Sequence, residues 1–335
     1  MLSSDFIQAA AHAAGFDACG VAALGELPAG VLRSFCEWLQ RGHHAGMRYM
    51  ERHLQKRADP RLLLKSGART AVVTLLSYKP LRRQPPHVPQ VSCYAYGLDY
   101  HEVLKQRLWK LLAALQAERP ALRGRAFADT APLQERYLAL KAGLGWLGKN
   151  GMLVSKELGS YTFIGVLLLS DEVKSNTQEQ KSRCGACARC VNACPTGAIL
   201  GNGTVNARLC LSYATIEKHA NPLPDEAAAG AEANFGTAKE AGAPKSEKLA
   251  AAGYVFGCDI CQEACPWNRC AKVAPHSEMQ MLPQLLTLTA ADWLAMSDED
   301  FEKIFEHSPI KRATLQGMKK NVRAMQPWPT PYFQT

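Results

Sequence analysis

Residues 184–199 read CGACARCVNACPTGAI, with cysteines at Cys184, Cys187, Cys190 and Cys194 and a proline at Pro195. This Cys-x2-Cys-x2-Cys-x3-Cys-Pro run has the bacterial ferredoxin spacing. Its first three thiolates converge on one [4Fe–4S] cluster, and the fourth points to a second cluster. GCDICQEACPWN (257–268) carries a shorter version, Cys258-x2-Cys261-x3-Cys265-Pro266. Two such clusters take eight thiolates, and the two runs supply seven. Cys210, between them, completes the set. The crossed rule then gives Cys184, Cys187 and Cys190 with Cys265 for one cluster, and Cys194, Cys258 and Cys261 with Cys210 for the other. Zinc is the competing metal. It takes four ligands from paired knuckles, which two Pro-terminated runs do not resemble. Cys270 has no place in the count and reads as a surface or packing cysteine. Cys19 and Cys36 read as small buried residues.

The whole chain has 335 residues and 12 cysteines, nine of them between Cys184 and Cys270. Its 47% hydrophobic and 21% charged residues are a globular composition. No run of eighteen apolar residues occurs, so no transmembrane helix is expected. The start, MLSSDFIQAAAHAAGFDACG, lacks a basic n-region and is not read as a secretory signal. A cytoplasmic, reducing location is therefore expected, where cysteines bind metal more often than they form disulfides. Neither GxGxxG after a strand nor GxxxxGK[ST] is present, so no nucleotide site is indicated. The net charge of +9 admits nucleic acid, an acidic partner or an anionic cofactor without choosing among them.

Three regions follow from the cysteine distribution. Residues 1–175 read as an α/β domain with a mixed sheet. DFIQAAAHAAGF, VLRSFCEWLQ (31–40) and HEVLKQRLWKLLAALQAE (101–118) have helical spacing. PLQERYLALKAGLGWLGKN (132–150) places Pro132 at a helix start, and TAVVTLLSY (70–78) and YTFIGVLLLS (161–170) read as buried strands. Residues 176–275 form a two-cluster, ferredoxin-like domain in which metal replaces a large core. Within it, 217–253 is an Ala/Gly-rich insertion, read as a flexible excursion with some helix. Residues 276–335 read as helical and polarised by charge. Seven acids and one Lys lie from Glu278 to Glu306, and five basic residues without an acid from Pro309 onward. The closing PWPTPYFQT is non-helical because of its prolines.

FADTAPLQERYLALKAGLGWLGKNGMLVSKELGSYTFIG (127–165), followed by the two cysteine runs and RLCLSYATIE (208–217), resembles the epoxyqueuosine reductases of bacterial tRNA modification. KRADPRLLL (56–64), YGLDYHEVL (96–104) and SPIKRATLQGMKKNVRAM (308–325) fit the same family, so the resemblance runs along nearly the whole chain. It implies reduction of epoxyqueuosine to queuosine in the tRNA anticodon loop, with base-off cobalamin and two [4Fe–4S] clusters. It also implies an α/β cobalamin-binding domain like that of reductive dehalogenases, a ferredoxin-like domain, and C-terminal HEAT-like helices. Many members continue further at the C-terminus, so part of the tRNA grip is expected to be absent or rebuilt. An external electron donor and a monomeric state are expected.

By the same resemblance Asp129 is the proton donor and also touches the cofactor. Such a role asks for a carboxyl held protonated by an enclosed, apolar site. On the residues alone, Asp129 reads as a helix N-cap before Thr130-Ala131-Pro132. Arg57, Ser92, Cys93, Leu153, Lys156, Ile164, Ser212 and Tyr213 fall at cobalamin-lining positions, where Leu153 and Ile164 otherwise read as core. Gln134 and Arg136, one helical turn beyond Asp129, resemble tRNA-contacting positions. Lys311, Arg312, Lys319, Lys320 and Arg323 suit phosphate contact, which positions RNA without reading its sequence. Two other readings compete. One is a corrinoid iron–sulfur reductase of a small molecule, such as a reductive dehalogenase, which is usually exported behind a twin-Arg leader. The other is a non-catalytic two-cluster electron carrier, which leaves the first 170 residues without a purpose.

Overall fold

A computed structural model describes residues 2–218 and 252–325 of the chain. Most of the 217–253 insertion and the PWPTPYFQT tail lie outside the described residues. The strands among them are β1 (Ala18–Ala23), β2 (Thr70–Ser77), β3 (Gln90–Val91), β4 (Gly124–Phe127), β5 (Trp146–Leu147), β6 (Leu153–Val154), β7 (Thr162–Leu169) and β8 (Tyr254–Phe256). Four of them form the main sheet in the order β1-β2-β7-β4.

Helices cover both faces of this sheet. Val72 and Leu76 of β2 and Leu167 and Leu169 of β7 share a core with the Ser4–Ala13 and Tyr100–Glu118 helices. The alternate residues Ala71, Val73, Leu75, Val166 and Leu168 pack with Leu138 and Ala139 of the Glu135–Lys141 helix. Side chains of a strand alternate between faces, so two covers bury every residue of β2. This gives the unbroken apolar runs seen in the sequence. Such runs are commonest in parallel sheets, whence the expectation of a mixed one. The sheet is instead antiparallel throughout. β1 and β4 were not foreseen, because ACGVAA and GRAF carry little β-branched signal.

Gly20 in β1 allows one close contact that matters for the site. A Cβ there would stand 2.1 Å from the Ala142 carbonyl oxygen, so the end of the Glu135–Lys141 helix lies directly on the sheet. That helix starts three residues later than the Pro132 reading predicted. The stretch before it is held instead by tight turns, Thr130 N–H to Ala128 O (2.6 Å) and Leu133 N–H to Ala131 O (2.7 Å).

β3 pairs parallel with β8, tying the segment before Ser92 to the cysteine-rich region. At the C-terminal side, short helices run Ala290–Ala295, Asp298–Phe305 and Thr314–Ala324. Thr289 and Asp292 form a capping box, and Ser297 caps the next helix through Asp300 N–H. Trp293 stacks on Phe305, and both join the core beneath the Tyr100–Glu118 helix. Asn321 Nδ2 donates to Thr215 O and Val255 O, each at 2.8 Å, which anchors the last helix to the cysteine-rich region. Among the described residues no helix is long and apolar enough to cross a membrane.

Candidate active site and redox centre

Asp129 follows β4 in a left-handed conformation with φ of 58°. A non-glycine residue there is strained, and such strain persists where the surroundings enforce it. Asp129 N–H donates to Glu135 Oε1 (2.9 Å), and Tyr100 Oη donates to Asp129 Oδ2 (2.7 Å). His101 Nε2 lies 3.6 Å from the same Oδ2. His101 Nδ1 in turn meets Asp99 Oδ1 at 2.7 Å, while Asp99 caps the Tyr100–Glu118 helix through His101 N–H. The side chain of Asp129 thus caps no helix. It lies in an open recess, 64% exposed yet ringed by Tyr100, His101, Glu135 and Arg136.

The protons at this site do not sit where the sequence reading put them. Burial in the recess works to raise the Asp129 carboxyl. Hydrogen bonds from His101 and Tyr100, with the charges of His101 and Arg136, outweigh it and hold the group below the ordinary aspartate value. Burial likewise works to lower His101, but Asp129 and Asp99 prevail and push it up to about 9. Burial, aided by the Asp129 charge, pushes Glu135 up to about 8. At neutral pH Asp129 is therefore a carboxylate flanked by two groups that hold protons. Tyr100, His101, Asp99 and Glu135 were not singled out from the sequence. The available signal was Asp99-Tyr100-His101 at a helix start.

The remaining expected site residues fall in several environments. Arg57 is buried, donates to Arg52 O (3.2 Å) and Tyr49 O (3.3 Å), and lies over the Phe35 ring. Ser92, Cys93 and Leu153 are buried, Ile164 and Ser212 are half-buried, and Lys156 is exposed. The Tyr213 hydroxyl accepts from Gly46 N–H (2.9 Å) on a π-helical turn, Tyr213–Glu217. Gln134 ends the loop before the Glu135–Lys141 helix, so it and Arg136 are not one helical turn from Asp129. The Gln134 Nε2 is buried without a partner. Lys311 pairs with Glu302 (2.8 Å) and Arg312 grips Glu217 with two bonds (2.6 and 2.9 Å), whereas Lys320 and Arg323 are exposed and Lys319 half-buried.

All twelve cysteines are free thiols. Burial raises Cys190, and the nearby Cys265 and Cys184 add to it; Cys265 in turn responds to Cys184 and Cys187 after its own burial. Burial also raises Cys258, Cys261 and Cys210. Cys258 and Cys261 each feel Cys210, and Cys210 feels Cys194. These influences run mostly within the expected groups, although Cys261 also feels Cys190 of the other one. Among the described residues no three ligand side chains stand close enough to grip a single metal ion. Crowded, buried thiols resist ionisation unless cations compensate them, and iron supplies that charge.

One carboxylate links the second group to the sheet domain. Asp259 is fully buried between Cys258 and Cys261. It accepts from Ser92 Oγ (2.6 Å), Cys93 N–H (2.7 Å) and Gln262 Nε2 (3.2 Å), with Arg83 at 3.8 Å. The loop at 92–93 and the cluster loop are thereby locked together. A groove of about 650 Å³ lined by Leu63, Trp109, Leu112 and Arg125 lies at the β4 side of the sheet. None of the residues lining it belongs to the Asp129 group or the cysteine groups.

The family model described as epoxyqueuosine reductase QueG, DUF1730, matches residues 57–130, and a 4Fe-4S double cluster binding domain matches 183–268. The epoxyqueuosine reductase of Cyclobacterium marinum is 37% identical over 321 residues, covering 95% of each chain. That of Gloeobacter violaceus is 34% identical over 326 residues, 95% of this chain and 94% of that one. The solved epoxyqueuosine reductase of Streptococcus thermophilus superposes with a TM-score of 0.78 at 26% identity, over 95% of this chain and 79% of that one. An epoxyqueuosine reductase solved with an epoxyqueuosine-modified tRNA-Tyr stem loop also gives 0.78, at 25% identity, over 96% and 80%. The chain belongs to the epoxyqueuosine reductase family.

Proposed function

We propose that this protein reduces epoxyqueuosine to queuosine in the anticodon loop of tRNA, with Asp129 delivering the proton. The observation that carries the role of Asp129 is its strained turn, which aims the carboxylate into an open recess between two proton-holding neighbours. The net reaction takes two electrons and two protons and releases the epoxide oxygen as water. Negative charge grows on oxygen as the C–O bond breaks, so a proton source at that atom lowers the barrier. Asp129, a carboxylate at rest, takes a proton from His101, whose charge Asp99 sustains, and passes it to the oxygen. Tyr100 fixes the carboxylate.

Two [4Fe–4S] clusters are held by the crossed cysteine groups. Base-off cobalamin fits the recess. Gln134 Nε2, on the loop that follows Asp129, is a buried donor without a partner, and Tyr100, which holds Asp129, stacks on Phe163 and meets Tyr94 edge to face. Arg57, Ser92, Cys93, Leu153, Lys156, Ile164, Ser212 and Tyr213 are assigned to the surroundings of the corrin. For Ser92 and Cys93 the role is exerted through Asp259. When bound, cobalamin supplies low-potential electrons or a nucleophile at the epoxide. Gln134, Arg136, Lys319, Lys320 and Arg323, with Lys311 and Arg312, are assigned to the tRNA. A flipped-out base in an enclosed site is the expected mode for chemistry on a base.

In this reading residues 1–175 are the cobalamin domain, 176–275 the two-cluster domain, and 276–335 a short HEAT-like, tRNA-contacting element. The protein works as a cytoplasmic monomer supplied by an external electron donor. The test is nucleoside mass analysis of epoxyqueuosine-tRNA after incubation with the reduced holoenzyme. Conversion to queuosine is expected, and Asp129→Asn is expected to abolish it. Conversion at the wild-type rate by that variant would remove Asp129 from the role.

A further inference from the structure

We propose that the basic face over Cys184, Cys187, Cys190 and Cys265 is the docking surface for an acidic protein that donates one electron at a time. The inference rests on the proposed function, which needs two electrons per epoxide and an outside source for them.

The charge pattern is one-sided. No Asp or Glu occurs from Lys181 to Ile216, where Arg183 and Arg189 are exposed, and none from Ala264 to Ser277, where Arg269 and Lys272 are exposed. The acids that adjoin these segments in sequence are each paired: Glu217 with Arg312 (2.6 Å), Glu263 with Arg83 (2.5 Å) and Glu278 with Arg107 (2.8 Å). The two basic segments form one face. Trp267 meets Trp146 edge to face at 4.8 Å between centroids, and Arg183 lies over the same Trp146 ring.

The face also has an apolar centre. Ala274 N–H donates to Lys79 O (2.9 Å), and Lys79 Nζ donates to Asn268 O (2.8 Å) and to Ala271 O. Close to this junction in sequence, Leu81 is 75% exposed and Val273 42% exposed. Arg82 and Lys272 adjoin them along the chain and, like Arg269, are exposed. An apolar centre with a charged rim is the anatomy of a protein interface, whereas a phosphate grip is built from donors throughout. The partner is therefore acidic and protein.

Position favours entry of electrons here. Cys184 and Cys187 flank the exposed Gly185 and Ala186. Cys210 lies deeper, packed against Ala45, Ala207 and Tyr213. In each docking event the reduced carrier loses one electron and the cluster of Cys184, Cys187, Cys190 and Cys265 gains it. Two events supply one turnover.

The experiment mixes holoenzyme with a reduced small acidic [2Fe–2S] ferredoxin and follows cluster reduction by stopped-flow absorbance. Calorimetry measures ferredoxin binding to the oxidised enzyme. The double substitution Arg269→Glu, Lys272→Glu is expected to slow reduction by roughly tenfold or more at low ionic strength and to flatten its salt dependence. Reduction by dithionite, and iron content, should stay unchanged. Leu81→Glu, on a loop without a cysteine, should weaken ferredoxin binding in the same way. Unchanged ferredoxin rate and affinity in these variants would overturn the proposal. A loss confined to affinity for a tRNA stem loop would reassign the face to RNA. Failure of the dithionite-reduced wild type to convert epoxyqueuosine-tRNA would instead count against the function itself.

Discussion

At pH 7 the proton that Asp129 is to deliver rests on His101, and the charge of Asp129 helps to hold it there. Asp129→Asn removes that charge while keeping the shape. The two groups stand 3.6 Å apart. A unit charge at that range is worth about 1 kcal/mol in water and several times more when desolvated. With the Asp129 side chain 64% exposed, the water end of the range applies. Roughly 1–2 kcal/mol, or about one pK unit, should be lost. His101 should then titrate near 8 instead of about 9. Asp99→Asn, which takes the charge out of a 2.7 Å hydrogen bond, should lower it further. Carbon-13-labelled histidine followed by NMR reads this directly, with His101→Gln identifying the resonance among nine histidines. Because the folded pKa is raised, the stability His101 contributes is complete below its ordinary 6.5 and disappears as pH rises through about 9. Turnover should fall over the same upper range as the proton leaves. A wild-type midpoint near 6.5, or one that Asp129→Asn does not move, would refute the coupling and the proton relay built on it.

The other expectations are independent of one another. Glu135 is raised from 4.5 to about 8, so the folded protein loses stability as pH rises across that interval. Glu135→Gln should therefore raise the thermal midpoint at pH 9 but not at pH 4; equal effects at both would show that no titration is involved. Gly20→Val drives a branched side chain against the Ala142 carbonyl, 2.1 Å from where Cβ must go. It should cost at least about 2 kcal/mol in chemical denaturation, and a wild-type midpoint would contradict the close packing. Cys210→Ala should halve the iron content, and Cys270→Ala should leave it intact; the opposite pattern would reassign the eighth ligand. Asp259→Ala leaves the Ser92 hydroxyl and the Cys93 N–H without their buried acceptor. A loss of about 2–4 kcal/mol is expected, and a loss under 1 kcal/mol would show that the link is not structural.

Which parts of this molecule were readable from sequence follows from the separation of the residues that act together. The thiols of a ferredoxin run lie two or three residues apart, so cluster chemistry imposes a local spacing that survives in the sequence. Cys210 entered the set by stoichiometry, and the crossing of Cys265 by the rule that the last cysteine of a run serves the other cluster, not by proximity. Around Asp129 the partners are distant. Tyr100 is 29 residues before it, and His101 reaches it only because the helix start and the end of β4 meet at one edge of the sheet. No local pattern encodes that meeting. The antiparallel order of the sheet was hidden for a related reason, since burial on both faces erases the alternation that separates one arrangement from the other. Asp259 falls between these cases. Its partners Ser92 and Cys93 are more than 160 residues away, yet its own place is fixed by the Cys258–Cys261 spacing. Two thiolates aimed at one cluster turn the residue after the first of them away from the iron and toward whatever packs behind the loop. A carboxylate in that place must find buried donors in the neighbouring domain or destabilise the loop. An acid inside such a run, in a stretch otherwise poor in acids, therefore marks where the cluster domain is joined to the catalytic one.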